Sequence, residues 1–224
     1  MANWLKYMQG VALGLVLVTG ISACANAADT TPEKMAAALA LTPDDIVLGQ
    51  ADAPLTVIEY ASMTCPHCAH FHEQTFPELK KNYIDTGKIR FVLRDMPWDP
   101  LAMAVSKIAR CAGKDRYYGF VSAFFETREK WVSGAQSQDP LAEIKRVARL
   151  GGMDGAKVDA CLRDPALHKE VSTMKKVGLE EVGVNSTPSF YLGKTTVIRG
   201  FRTYDEMAEA IDTALAKVKA GTDK

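Results

Sequence analysis

Cys65 and Cys68 are separated by two residues in the run Cys65-Pro66-His67-Cys68, shortly after the β-branched stretch Leu55-Thr-Val-Ile-Glu-Tyr60. A C-x-x-C pair is a redox dithiol, half a zinc site, or two ordinary core cysteines. Placement separates these readings. Leu55 to Tyr60 reads as a strand, and the residues from Cys65 to about Tyr83 carry helical spacing, with Phe71, Phe76, Leu79 and Tyr83 as packing positions. The pair therefore opens a helix, where unsatisfied backbone N–H groups and the positive helix end converge on the first sulfur. Both favour the thiolate, which is the nucleophilic form.

A free cysteine with a pKa of about 8.5 is mostly protonated at neutral pH, and such motifs lower it to roughly 3.5–7.5. A depression of about three pH units requires about 4 kcal/mol of preferential thiolate stabilisation. A helix end supplies up to about 1–2 kcal/mol, so direct N–H contacts to sulfur and His67 must provide the rest. Pro66 suits the first helical turn because the N–H it lacks would have no partner there, and His67 adds positive charge. Stabilising the thiolate stabilises the reduced protein, and a protein that prefers to be reduced oxidises other thiols. Cys68, one turn further in, is suited to resolving a mixed disulfide formed at Cys65. Glu59 precedes Cys65 by six residues in the strand. It can carry protons for Cys68 if it points inward beneath the motif, and otherwise it is a polar residue on a half-exposed strand.

The rival chemistry is metal binding through Cys65, Cys68, His70 and His72. On a regular helix Cys65, Cys68 and His72 share a side while His67 and His70 point largely away, so this helix alone does not supply four tetrahedral ligands. No metal and no cofactor are expected. A copper-handling protein remains the alternative from a different class.

The surrounding elements must hold this pair in place. Ile46-Val-Leu-Gly and Leu55 to Tyr60 read as strands separated by a turn at Asp52-Ala53-Pro54, and Lys88 to Leu93 reads as a third strand, making a strand-helix-strand unit with parallel neighbours. The middle reads as helices: Leu101 to Ala112, Asp115 to Trp131, Leu141 to Leu150, Asp154 to Leu162 and Ala166 to Glu181. Their apolar faces include Val105, Ile108 and Cys111, then Phe120, Phe124 and Trp131, then Leu141, Ile144 and Ala148. Strand text returns at Ser189 to Leu192 and Thr196 to Ile198, and a last helix runs from Thr203 to about Lys219. The fold class is α/β with an inserted helical block. Residues 46–99 and 183–219 form one domain, 100–182 the insertion, and 28–45 a tether with one short helix from Glu33 to Leu41.

Residues 1–27 read as an export signal: Lys6, an apolar run from Val11 to Val18, then small residues. The run is shorter than the about 20 apolar residues that a membrane span needs. Two removal sites compete. Ala25-Asn26-Ala27 would leave a soluble chain, whereas Ile21-Ser22-Ala23-Cys24 resembles a lipobox and would make Cys24 the lipidated first residue of a lipoprotein. Of the 5 cysteines, setting Cys24 aside leaves an even set that can pair. Export to an oxidising compartment favours Cys111-Cys161 as a structural disulfide over two buried thiols. Lysine plus arginine equals aspartate plus glutamate at 27 each, so no global basic field gathers nucleic acid or anionic lipid, and no nucleic-acid partner is expected. At 47% hydrophobic the chain is not expected to be disordered.

The segment Thr56-Val-Ile-Glu59-Tyr-Ala-Ser-Met-Thr-Cys65-Pro-His-Cys68, with Gly183-Val-Asn-Ser-Thr187-Pro188-Ser-Phe190 beyond a helical block, resembles the DsbA-like thiol-disulfide oxidoreductases. The likeness covers approximately Ile46 to Val218. It implies a thioredoxin-like fold with an inserted helical domain and an acidified Cys65. It further implies a periplasmic oxidase that donates disulfides to exported proteins with free thiols and is recycled by a DsbB-like, quinone-linked membrane partner. It also implies that Thr187-Pro188 is a cis bond set against the redox pair, exposing backbone to bind extended substrate. Thr187 departs from the valine usual in enteric oxidases and matches the threonine frequent in disulfide isomerases, so isomerase or reductase activity is the alternative. Against the isomerase reading, residues 29–45 read as too short for a dedicated N-terminal dimerisation domain, and a monomer is expected.

Overall fold

The computed structural model describes residues 31–134, 139–194 and 196–221; the residues read as an export signal, with Cys24 and the two expected removal sites, lie outside them. In chain order the elements are α1 (Pro32–Ala38), β1 (Val47–Leu48), β2 (Leu55–Ala61), α2 (Pro66–Gln74), α3 (Phe76–Leu79), β3 (Ile89–Asp95) and α4 (Pro100–Cys111). There follow α5 (Lys114–Glu126), α6 (Arg128–Gly134), α7 (Pro140–Leu150), α8 (Gly155–Arg163), α9 (Pro165–Val177), β4 (Ser189–Leu192), β5 (Thr196–Arg199) and α10 (Tyr204–Lys219).

The sheet orders its strands β1-β3-β2-β4-β5. β2 runs parallel to β3, joined by the α2–α3 crossover, and antiparallel to β4. β2 is central and buried along nearly its whole length, so its sequence is apolar on both faces. By strand alternation Leu55, Val57, Glu59 and Ala61 face one side, and Thr56, Ile58 and Tyr60 the other. The first side packs on Cys68, Phe71, Phe91, Phe124, Phe125 and Phe190, while Ile58 and Tyr60 pack with Leu39, Val92, Met96, Val184 and Tyr191. Glu59 is thus a carboxylate set into the larger apolar core.

The insertion, α4 to α9, starts its helices in a repeated way. Asp99, Asp139 and Asp164 cap α4, α7 and α9, and each precedes a proline at the first helical position. Asp154 caps α8 without the proline. Each side-chain oxygen accepts from otherwise unpaired first-turn N–H groups. Cys111 and Cys161 join α4 to α8 through a disulfide, with Cα atoms 5.9 Å apart.

Several expected helices are shorter or divided. The single helix read over Asp115 to Trp131 is α5 and α6, because Thr127 Oγ1 donates back to the Ala123 carbonyl at 2.6 Å and the backbone leaves helical angles at Thr127. The helix read to Tyr83 divides at Thr75, just before Pro77, whose missing N–H cannot continue the ladder; a wide π-type turn over Lys80–Ile84 follows. The helix read to Glu181 stops at Val177 and passes into a second wide turn, Gly178–Val182, ended by Gly183 at φ 76°. Gly178 is required there, since a Cβ would sit 2.9 Å from the Tyr60 ring. Leu141, read as part of an apolar face, is 38% exposed; Ile144, Val147 and Ala148 hold α7 to the core instead.

Candidate functional site

Cys65 is the N-cap residue of α2 with extended backbone, and Pro66 takes the first helical position. The N–H groups of His67 and Cys68 are therefore free of helical partners and lie over the Cys65 sulfur. Cys65 is partly exposed, Pro66 and His67 are exposed, and Cys68 is 0% exposed beneath them. Both are unbonded thiols. Across from them the Thr187-Pro188 peptide bond is cis, and the Cys65 thiol donates to the Thr187 carbonyl at 3.3 Å.

The electrostatics of the two sulfurs diverge. Hydrogen bonding from the Cys68 thiol, followed by donation from Thr187 and from the backbone N–H groups of Cys68 and His67, draws Cys65 down from the ordinary thiol range to about 5, against partial burial. The carbonyl contact belongs to the neutral thiol and opposes ionisation; the donors outweigh it. Burial pushes the Cys68 thiol well above the ordinary range, and the neighbouring Cys65 and Glu59 add to this. One sulfur is poised as nucleophile and leaving group on the surface, and its partner is held as a buried thiol.

The insertion clamps the loop before Cys65. Arg128 Nε donates to the Thr64 carbonyl at 2.7 Å. Thr64 Oγ1 donates to Asp99 Oδ2 at 2.5 Å, while Asp99 Oδ1 caps α4 by accepting from the Ala102 N–H. Trp98, 43% exposed, donates its indole N–H to Thr187 Oγ1 at 3.1 Å, which leaves the Thr187 hydroxyl hydrogen free to turn toward Cys65. Sequence reasoning missed Arg128, Asp99 and Trp98. The Asp99-Pro100 cap signal was available, but partners 35, 64 and 89 residues apart are set by topology.

Glu59 is 0% exposed, on the face that carries Cys68, and accepts from or donates to His72 Nε2 at 2.7 Å. The other histidines of the motif helix go elsewhere: His67 is exposed, and His70 stacks on Phe201 with ring centroids 4.6 Å apart. Among the described residues no three His, Cys, Asp or Glu side chains are gathered to hold a metal ion.

A C-x-x-C thiol pair at a helix start, faced by a cis-proline on an open mixed sheet, agrees with the family comparison, in which residues 41–213 match the model described as thioredoxin. This chain belongs to the thioredoxin family. It is a DsbA-like member with a helical insertion. Its fold is similar to that of Wolbachia pipientis alpha-DsbA1, with TM-score 0.77 and 26% identity over 84% of this chain and 98% of that one. In sequence it is 31% identical over 177 residues to a Rickettsia felis protein named "Putative protein-disulfide oxidoreductase", and 24% identical over 177 residues to disulfide bond formation protein D of Bacillus subtilis. The match covers 79% of this chain and 62% of the Rickettsia protein, and 75% and 76% for the Bacillus protein. As a thioredoxin-family chain it carries the Cys65–Cys68 pair at the α2 start and α4 to α9 in the β3–β4 connection.

Proposed function

We propose that this chain is a protein thiol-disulfide oxidoreductase that works as a dithiol oxidase on exported proteins with free thiols. The observation that carries the reading is the opposed pair of sulfurs: a surface Cys65 drawn down to about 5 above a buried Cys68 pushed up. A thiolate of the substrate attacks Cys65 Sγ of the Cys65–Cys68 disulfide, the S–S bond breaks, and its electron pair leaves on Cys68, which takes a proton. The substrate's second thiolate then attacks the substrate sulfur of the mixed disulfide. The new disulfide stays on the substrate, and Cys65 departs as a thiolate, a good leaving group because it ionises at low pH. The protein has gained the two electrons the substrate lost.

Pro66 and His67 set the first turn, Glu59 serves the Cys68 proton, and Thr187-Pro188 offers backbone to an extended substrate segment beside Cys65. The Cys111–Cys161 bridge is structural. Reoxidation falls to a DsbB-like, quinone-linked membrane partner, and the working compartment is the periplasm, with the chain soluble or held by a lipid at Cys24. Among the described residues no helix is long and apolar enough to cross a membrane. Isomerase or reductase activity is the second choice, because threonine, not the valine usual in enteric oxidases, stands before the cis-proline.

The test is equilibration of the Cys65–Cys68 pair with a glutathione redox series, read by alkylation and mass so that Cys111 and Cys161 are scored separately. The expected result is a strongly oxidising pair, and Cys65→Ser that folds but no longer oxidises dithiols. A strongly reducing potential would remove the oxidase role.

A further inference from the structure

The Glu59 and His72 side chains are 0% and 1% exposed, with Oε2 and Nε2 2.7 Å apart. Among the described residues the second atom of each, Glu59 Oε1 and His72 Nδ1, has no hydrogen-bond partner. Buried polar atoms in folded proteins are nearly always matched, so two orphans side by side on one pair are unusual for a structural contact. The imidazole is packed among rings: it stacks on Phe125 with centroids 4.5 Å apart and lies 4.8 Å from Phe76 and 5.4 Å from Phe71. That wall excludes water while Cys68, on the same core side, must gain and lose a proton in every cycle.

We propose that Glu59 and His72 act as one unit holding a single transferable proton, with His72 as the positioning residue that lets Glu59 give this proton to the Cys68 sulfur and take it back. The inference rests on the oxidoreductase reading above and adds His72 to it. With one proton shared, the pair is neutral whichever atom carries it, so no charge is buried alone. When the Cys65–Cys68 bond breaks, the electron pair on Cys68 Sγ takes that proton, leaving the Glu59 carboxylate hydrogen-bonded to neutral His72. On reoxidation Cys68 returns the proton to the pair as its sulfur attacks the mixed disulfide at Cys65.

The other ionisable groups packed around the pair have charged or backbone partners, or are the exchanging sulfur. Asp95 of β3 is ion-paired through Oδ2 with Arg110 of α4 at 2.5 Å, its Oδ1 being unmatched among the described residues, so its charge is already compensated. Tyr118 of α5 donates to the Ile46 carbonyl at 2.8 Å, and burial pushes both Tyr117 and Tyr118 far above the ordinary range, with Glu59 among the charges that add to it. Cys65 of α2 is the exchanging sulfur itself.

The experiment is the rate at which dithiothreitol reduces the Cys65–Cys68 disulfide across pH, divided by the ionised fraction of the reagent. For the wild type this corrected rate falls as pH rises through the titration of the pair. His72→Phe keeps the ring volume and the stack but removes both nitrogens, so the corrected rate drops at least about tenfold on the acid side and becomes flat with pH. His72→Gln, which keeps an amide donor near the Nε2 position without holding a proton, shows the same loss and carries the test if His72→Phe does not fold. Glu59→Gln matches them, and combining it with either His72 variant adds nothing. The Cys65 thiolate absorbance titration stays in place throughout. A His72 variant with the wild-type profile, or a loss of equal size at every pH, overturns the proposal. Wild-type exchange with a flat profile does so too, whereas absence of exchange at Cys65 in the wild type removes the oxidoreductase reading itself.

Discussion

On one face of the sheet Arg94 uses all of its N–H donors: Nε and Nη2 on the two Asp45 oxygens, Nη1 on the Ala38 carbonyl and Tyr60 hydroxyl, and Nη2 again on the Ala40 carbonyl. Asp45 also accepts from the Thr42 backbone N–H and hydroxyl. On the other face Glu59 and His72 share one contact and leave one polar atom each unmatched. Both clusters are buried and both contain a carboxylate. A completed network has one arrangement and no proton to exchange, so it fixes the α1 segment to the sheet; an uncompleted one retains capacity for a proton. The difference separates frame from chemistry within one small domain.

The largest expected effect lies in the frame. Arg94→Met strands Asp45, whose side chain is 0% exposed, and removal of one partner from such a pair costs about 3–5 kcal/mol. Urea unfolding should show that loss while the Cys65–Cys68 equilibrium with glutathione stays put; a shifted equilibrium would mean the two faces are coupled. Next in size is the disulfide between α4 and α8, whose cysteines are 50 residues apart. Replacing Cys111 and Cys161 together by alanine should lower stability by about 2–4 kcal/mol, again without moving the Cys65 titration.

Much of the redox face was legible because its parts are local. The strand before Cys65, the proline at the helix start and the two-residue spacing carry the geometry of α2, and the Gly183 to Phe190 run carries the β4 approach. The frame was far less legible. Arg94 and Arg110 read as ordinary charges, and nothing near them in sequence says that their carboxylate partners, Asp45 and Asp95, lie 49 and 15 residues away with buried side chains. Helix ends failed where a side chain overrode periodicity, as Thr127 did between α5 and α6. The Glu59–His72 pair was half visible: the sequence put His72 on the Cys68 side of α2, but left Glu59 either beneath the motif or on a half-exposed strand, and did not set the two against each other.

The chemistry face should respond to pH with a definite sign. Cys65 ionises at about 5 when folded and near 8.5 when unfolded, a depressed folded value. Its contribution to the reduced protein is fully present above about pH 8.5, declines below it and is lost as pH falls through about 5. The oxidised protein has no such thiol. Paired denaturation curves should therefore show the reduced form gaining on the oxidised form between about pH 5 and 8.5. A constant gap would place the acidified sulfur elsewhere.

The smallest effect tests how the two faces meet at the cis-proline loop. Thr187 donates to Cys65, and Trp98 holds the Thr187 oxygen from the other side. Thr187→Val removes one donor to the thiolate and should raise the Cys65 titration, read by thiolate absorbance, by up to about one pH unit, since a hydrogen bond to a charged group contributes about 1.5–3 kcal/mol and solvent at this half-exposed sulfur weakens it. Trp98→Phe leaves that donor in place and removes only its orientation. Its shift should have the same sign and about half the size or less, as expected for an exposed neutral hydrogen bond of about 0.5–1 kcal/mol. In the Thr187→Val background Trp98→Phe should add nothing, because the hydroxyl it orients is gone. An additive shift would show that the indole acts on Cys65 by its own route, and the loop would then belong to the substrate surface more than to the tuning of the sulfur.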